Sequence, residues 1–207
     1  TQERGVIMIT GHFGNYELLA VTGSHIWGKR AMCVARRYAV EGYNQVVEMM
    51  RERLGMNLIY QDEGIWNIAK PLRENCVVGL LPDQDAKKVG GVFIDFFGRQ
   101  AYTASGPALL SRRLSTPMLP VFFVRVSSDC FGPNSKRFEA VVCDVIDPED
   151  YKQEAEPIVA LTKAWSDVFE QQVRKAVPQW SWTHKRWHTT PEILQRRKDK
   201  KRAKLDS

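Results

Sequence analysis

The stretch Val6-Ile7-Met8-Ile9-Thr10-Gly11-His12-Phe13-Gly14-Asn15-Tyr16-Glu17 carries the reading of the whole chain. Its first four residues are apolar and lie between Gly5 and Gly11, the pattern of a short strand buried on both faces. Glu17, Leu18, Leu19 and Ala20 favour helix, so a helix is expected to start near Gly14 and Asn15. His12 then falls on the strand-to-helix bend. A helix start offers unpaired N–H groups and a partial positive charge, which makes the amides of Gly14 and Asn15 candidates to receive an oxyanion. On one continuous helix His12 and Glu17 would stand roughly 140° apart. With His12 on the bend and Glu17 on the first turn, the carboxylate can reach back to one imidazole nitrogen and leave the other to take a proton. Such a pair is a candidate general base that needs no nucleophilic Ser or Cys. The same residues also fit a plain helix start, with a hydrogen-bonded histidine and a capping glutamate.

Outward from this bend, strand and helix patterns alternate. Residues 30–34 read as a strand, 41–54 as a helix stopping at Gly55, 57–60 as a strand, 64–73 as a helix, and 76–81 as a buried strand broken by Pro82. This alternation predicts an α/β fold, with a central, largely parallel or mixed sheet flanked by helices and its site at the carboxyl ends of the strands. Asp83-Gln84-Asp85 follows one such end, on the edge expected to hold His12, and Arg36-Arg37 follows another. An acidic loop and two adjacent arginines are common solvated features, yet an arginine there can also fork onto a phosphate or carboxylate. Residues 87–91 form a basic, glycine-containing loop, and 92–99 read as a strand or hydrophobic lip. A helix is expected at 108–114, strands at 116–125 and, after the Gly132-Pro133-Asn134-Ser135 turn, at 138–142. In the helical region 147–177, Ala160, Leu161, Ala164, Trp165, Val168 and Phe169 form a stripe suited to packing on the sheet.

Composition narrows the function. Cys33, Cys76, Cys130 and Cys143 sit singly, without a Cys-x-x-Cys pair, as expected of reduced thiols, and His25, His184 and His188 do not join them at metal-ligand spacing. No metal or cofactor is expected. No Gly-x-Ser-x-Gly elbow occurs, which argues against a serine hydrolase. Residues 196–204 hold seven basic residues against one acid, which accounts for the whole net charge of +6. The remaining body is balanced, so a nucleic-acid-binding face is not expected, and the tail is suited to anionic lipids or an acidic protein. No apolar stretch approaches the ~20 residues that span a bilayer. The chain opens on Thr1 rather than Met, so an upstream segment is expected.

His12-Phe13-Gly14-Asn15-Tyr16-Glu17 resembles the His-x4-(Asp/Glu) motif of the lysophospholipid acyltransferase superfamily, and its filling resembles the bacterial lipid A biosynthesis (lauroyl/myristoyl) acyltransferase branch. The resemblance continues in order through Val34-Ala35-Arg36, Arg51-Glu52-Arg53-Leu54-Gly55, Asp83-Gln84-Asp85, the block from Gly91 to Arg99, and Trp180-Ser181-Trp182-Thr183-His184-Lys185-Arg186-Trp187. After Arg36 the chain has Arg37-Tyr38-Ala39-Val40 where the family usually continues with Pro and an Asp-Asn pair. The resemblance implies a glycerolipid acyltransferase-like domain over residues 1–190, a basic tail over 191–207, and an upstream membrane anchor. It implies His12 as base and Glu17 as its orienting acid. Gly14, Asn15, Arg36, Asp83 and Arg99 would contact or position substrate, and the phenylalanines of the Gly91–Arg99 block would line an acyl channel. The implied donor is acyl-acyl carrier protein, the acceptor a hydroxyl of a lipid A precursor, and the place the cytoplasmic face of the inner membrane. Another glycolipid or phospholipid acceptor, or hydrolysis of the thioester at the same site, are the alternatives.

Overall fold

The computed structural model describes residues 4–86, 90–126 and 138–203. Residues 87–89 of the basic loop, Cys130, the 132–135 turn and Lys204 lie outside them. In chain order the elements are β1 (Val6–Ile9), α1 (Tyr16–Trp27), β2 (Ala31–Ala35), α2 (Glu41–Arg53), β3 (Asn57–Tyr60), α3 (Ile65–Arg73) and β4 (Val77–Leu80). They continue as β5 (Gly91–Phe96), β6 (Arg99–Ala104), α4 (Gly106–Leu114), β7 (Met118–Arg125), β8 (Phe138–Val142), α5 (Pro157–Lys175) and α6 (Pro191–Ala203).

Six strands form one mixed sheet in the order β3-β2-β4-β1-β7-β8. All neighbours are parallel except the antiparallel pair of β7 and β8. Helices flank this sheet, so the α/β architecture read from the alternation is the one observed. β1 sits between β4 and β7, and Ile7 and Ile9 on one face and Met8 on the other are all buried, as a strand covered on both faces requires.

The register of β1 against β4 decides the site. Ile9 lies opposite Leu80, and three residues further along each chain come His12 and Asp83. Two neighbouring parallel strands with equal overhangs therefore deliver an imidazole and a carboxylate to the same edge.

One element escaped the sequence reading. The stretch at 92–99 is expected as a single strand or lip, but the chain reverses at Phe97-Gly98, whose φ values of 55° and 74° make a tight two-residue turn between β5 and β6. β6 carries no continuous apolar run, so nothing in its sequence announces a strand. The helical region likewise divides, into a 3-10 turn at Pro148–Tyr151 and then α5, which opens on Pro157. Leu161, Trp165, Phe169 and Val173 of α5 are sealed in the core, where Phe169 meets Phe13, Phe96, Phe122 and Trp180. Among the described residues no helix is long and apolar enough to cross a membrane.

Candidate active site

His12 lies on the bend between β1 and α1, and Gly11 and Gly14 make that bend possible. A Cβ at Gly11 would lie 2.3 Å from the Phe169 ring and 3.1 Å from the Asp83 carboxyl carbon. Gly14 has φ +57°, and a Cβ there would lie 2.0 Å from the Phe123 carbonyl oxygen. Only glycine lets the chain turn this closely between the sheet and the segment after α5. Phe13 is bridged to Trp180, the His12 carbonyl accepts from the Ser181 N–H at 2.9 Å, and the loop is thereby fixed on both sides.

The carboxylate that meets the imidazole is that of Asp83. Its Oδ1 lies 2.7 Å from His12 Nδ1, while Oδ2 accepts from the His12 backbone N–H at 3.0 Å and from the Trp180 indole N–H at 3.0 Å. The Asp83 side chain has no exposure, whereas that of His12 is 23% exposed, so the carboxylate is sealed behind an imidazole that remains open to solvent. Burial pushes the Asp83 carboxyl up, but the imidazole, the indole and the His12 amide outweigh it and hold it below the ordinary aspartate value. An ionised carboxylate only accepts, so the proton in the 2.7 Å contact sits on His12 Nδ1. Nε2 then carries the lone pair. Gln84 Nε2 lies 3.0 Å from His12 Nε2, 3.2 Å from His12 Nδ1 and 2.8 Å from His184 Nε2, so its amide lies over the His12 ring and off the axis of the Nε2 lone pair. The Tyr16 and His184 rings stand edge-on to His12 at 5.1 and 5.2 Å between centroids.

Glu17, expected to back the imidazole, is engaged elsewhere. Its oxygens accept from Arg51 of α2 at 2.5 and 3.3 Å, tying the start of α1 to the end of α2. As the second residue of α1 it follows the helix outward, whereas the β1–β4 register has already set Asp83 against the ring. The amides of Gly14 and Asn15 also differ from expectation. They donate to Gln179 O at 2.9 Å and Phe123 O at 3.0 Å, because the turn is pinned between these two carbonyls. The Asn15 side chain caps α1 by accepting from Leu18 N–H at 2.9 Å. The next two N–H groups, of Tyr16 and Glu17, have no acceptor among the described residues.

Arg36 is exposed just past the carboxyl end of β2, with no ion pair among the described residues, while Arg37 is held by Asp62 and Glu63 and stacks on Tyr60 at 3.7 Å. Arg99 follows the β5–β6 turn and stands over Trp187 at 5.4 Å, with no described contact to His12 or Asp83. Phe96 is sealed in the aromatic core between Phe169, Trp180 and Trp187, so it does not line an open channel. Arg186 is buried with its guanidinium over Phe96 at 4.9 Å, and burial lowers its pKa to about 10 despite the charges of Asp83 and Asp85. Cys33, raised to about 11 by burial and by Glu17, stays a thiol at neutral pH. Trp180, Gln84 and Tyr16 were missed as site residues. The only signal for them was adjacency to His12, Asp83 or the tryptophan block.

The profile of bacterial lipid A biosynthesis acyltransferases matches residues 1–189. The chain is 26% identical over 197 residues to the lipid A biosynthesis palmitoleoyltransferase of Escherichia coli (strain K12), covering 92% of this chain and 58% of that protein. Identity and coverage are the same for the lipid A biosynthesis acyltransferase of Shigella flexneri. The chain thus spans less than two thirds of the length of the curated relatives it matches. With the match running from the first residue through the tryptophan block that holds Asp83, the chain belongs to the bacterial lipid A biosynthesis acyltransferase family.

Proposed function

We propose that the protein is an O-acyltransferase that moves a fatty acyl chain from a thioester to a hydroxyl of a lipid A precursor, with His12 as general base. The observation that carries this reading is the Asp83–His12 pair, a sealed, ionised acid on Nδ1 and a reachable lone pair on Nε2. An acceptor hydroxyl donates its proton in a hydrogen bond to Nε2. As its proton passes to the imidazole, its oxygen attacks the thioester carbonyl, and Asp83 stabilises the imidazolium. The tetrahedral oxyanion is received by the Tyr16 and Glu17 amides at the start of α1, the two that no described acceptor occupies. On collapse the C–S bond breaks, and the departing thiolate takes the proton from His12. The products are an ester and a free thiol.

The donor in this reading is acyl-acyl carrier protein, an acidic partner suited to the basic α6, and Arg36 and Arg99 are held for anionic groups of the substrates. The protein acts at the cytoplasmic face of the inner membrane. Supporting contact with a membrane, Tyr43, Val46, Met50 and Leu54 recur at helical spacing along α2 and its end, all exposed, and Asn44 is the one buried residue of that helix. Such a stripe suits the headgroup region of a bilayer.

Mass spectrometry of lipids after incubation with acyl-acyl carrier protein and candidate glycolipid acceptors tests the reading. Wild-type protein should yield acceptor heavier by one acyl chain, and His12→Ala should lose the activity while still folding, as circular dichroism would show. Free fatty acid without acylated lipid would reassign the site to hydrolysis.

A further inference from the structure

Next to Gln84 and His184, the neighbours of the His12 ring, lies a cavity that the acyl-transfer scheme leaves without an occupant. Its volume is about 470 Å³, and Gln84, Asp85, His184, Lys185, His188 and Arg197 are on its wall. That falls within the ~300–1,000 Å³ typical of small-ligand sites.

The charge of this wall is one-sided. Asp85 is the one carboxylate on it, and Thr189 takes both its oxygens, the backbone N–H donating to Oδ1 at 3.0 Å and the hydroxyl to Oδ2 at 2.6 Å. Lys185 is exposed and enters no ion pair among the described residues. Arg197, from α6, donates from Nη1 to the Ala86 carbonyl at 3.1 Å, which anchors the side chain and leaves the rest of its fork for another acceptor. A guanidinium so anchored and an ammonium lining the same cavity are the chemistry that phosphate oxygens select. Gln84 joins the two places, since it lines the cavity and lies 3.0 Å from His12 Nε2. A ligand held here is one side chain from the base.

We infer that this cavity binds a phosphate ester carried by one of the two substrates, with Lys185 and Arg197 as its ligands. The inference deepens the acyl-transfer reading, on which it rests for what enters the site. The phosphate comes from one of two sources: the acceptor headgroup, or the phosphopantetheine arm of the donor. Two pairs of soluble probes separate them, glucosamine 1-phosphate against glucosamine and 4′-phosphopantetheine against pantetheine, measured by calorimetry on the wild-type chain. Binding at least about tenfold tighter to the phosphorylated member of a pair is expected, with the preferred pair naming the source. Lys185→Glu should erase the preference and Lys185→Arg should keep it, both melting as the wild type does; Arg197→Gln should weaken the preference independently. Equal binding within both pairs, or a preference that survives Lys185→Glu, overturns the inference. Because this readout needs no turnover, a phosphate preference without acyl transfer would count against the proposed reaction alone.

Discussion

Asp83 owes its charge to three donors in a place that would otherwise favour its neutral form. Its native pKa lies below the ordinary aspartate value, so the stability it contributes is complete above that value and is lost as pH falls through the depressed one. The stability difference between wild type and Asp83→Asn should therefore hold steady from pH 7 to about 5 and collapse below about 4, measured by denaturant unfolding across pH. In turnover, Asp83→Asn should lower kcat by about 10²–10⁴-fold with little change in KM, because the amide neither fixes the Nδ1–H tautomer nor stabilises the imidazolium. Glu17→Gln tests the other carboxylate. Its bonds to Arg51 predict a smaller loss than that of Asp83→Asn, and an equal loss would mean that Glu17 reaches the imidazole during the reaction.

At the scale of elements, the site depends on a turn and on an ion pair between helices. Gly14→Ala combines a strained φ of +57° with a clash against the Phe123 carbonyl, and should cost at least about 2 kcal/mol in chemical denaturation. The Glu17–Arg51 pair joins α1 to α2, but Glu17 is 45% exposed, so a double-mutant cycle should return a coupling of about 1 kcal/mol or less. The strands and helices from β1 to β4 were legible because each carries its own period and its own Gly or Pro punctuation. β6 was not, because its pairing with β5 is decided by the Phe97-Gly98 reversal and by partners across the hairpin.

Across the whole molecule, the His12–Asp83 edge, the cavity beside Gln84 and the exposed face of α2 make three demands on surface chemistry. Replacing Tyr43, Val46 and Met50 by Ser should weaken sedimentation with anionic vesicles several-fold while leaving transfer to detergent-dispersed acceptor intact, since α2 buries none of the three. The sequence by itself determined the α/β layering, the strand-to-helix bend under His12 and the location of Asp83 at a strand end, because periodicity and chain breaks are local properties. It also carried the family resemblance, through motifs kept in order along the chain. Tertiary structure alone decided which acid meets the imidazole. β4 returns to pair with β1 only after two intervening strands, and equal overhangs past Ile9 and Leu80 bring Asp83 to His12. Glu17, five residues from His12 in sequence, is turned by its own helix toward Arg51. Contacts across 71 residues depend on sheet order and register, which no local pattern encodes.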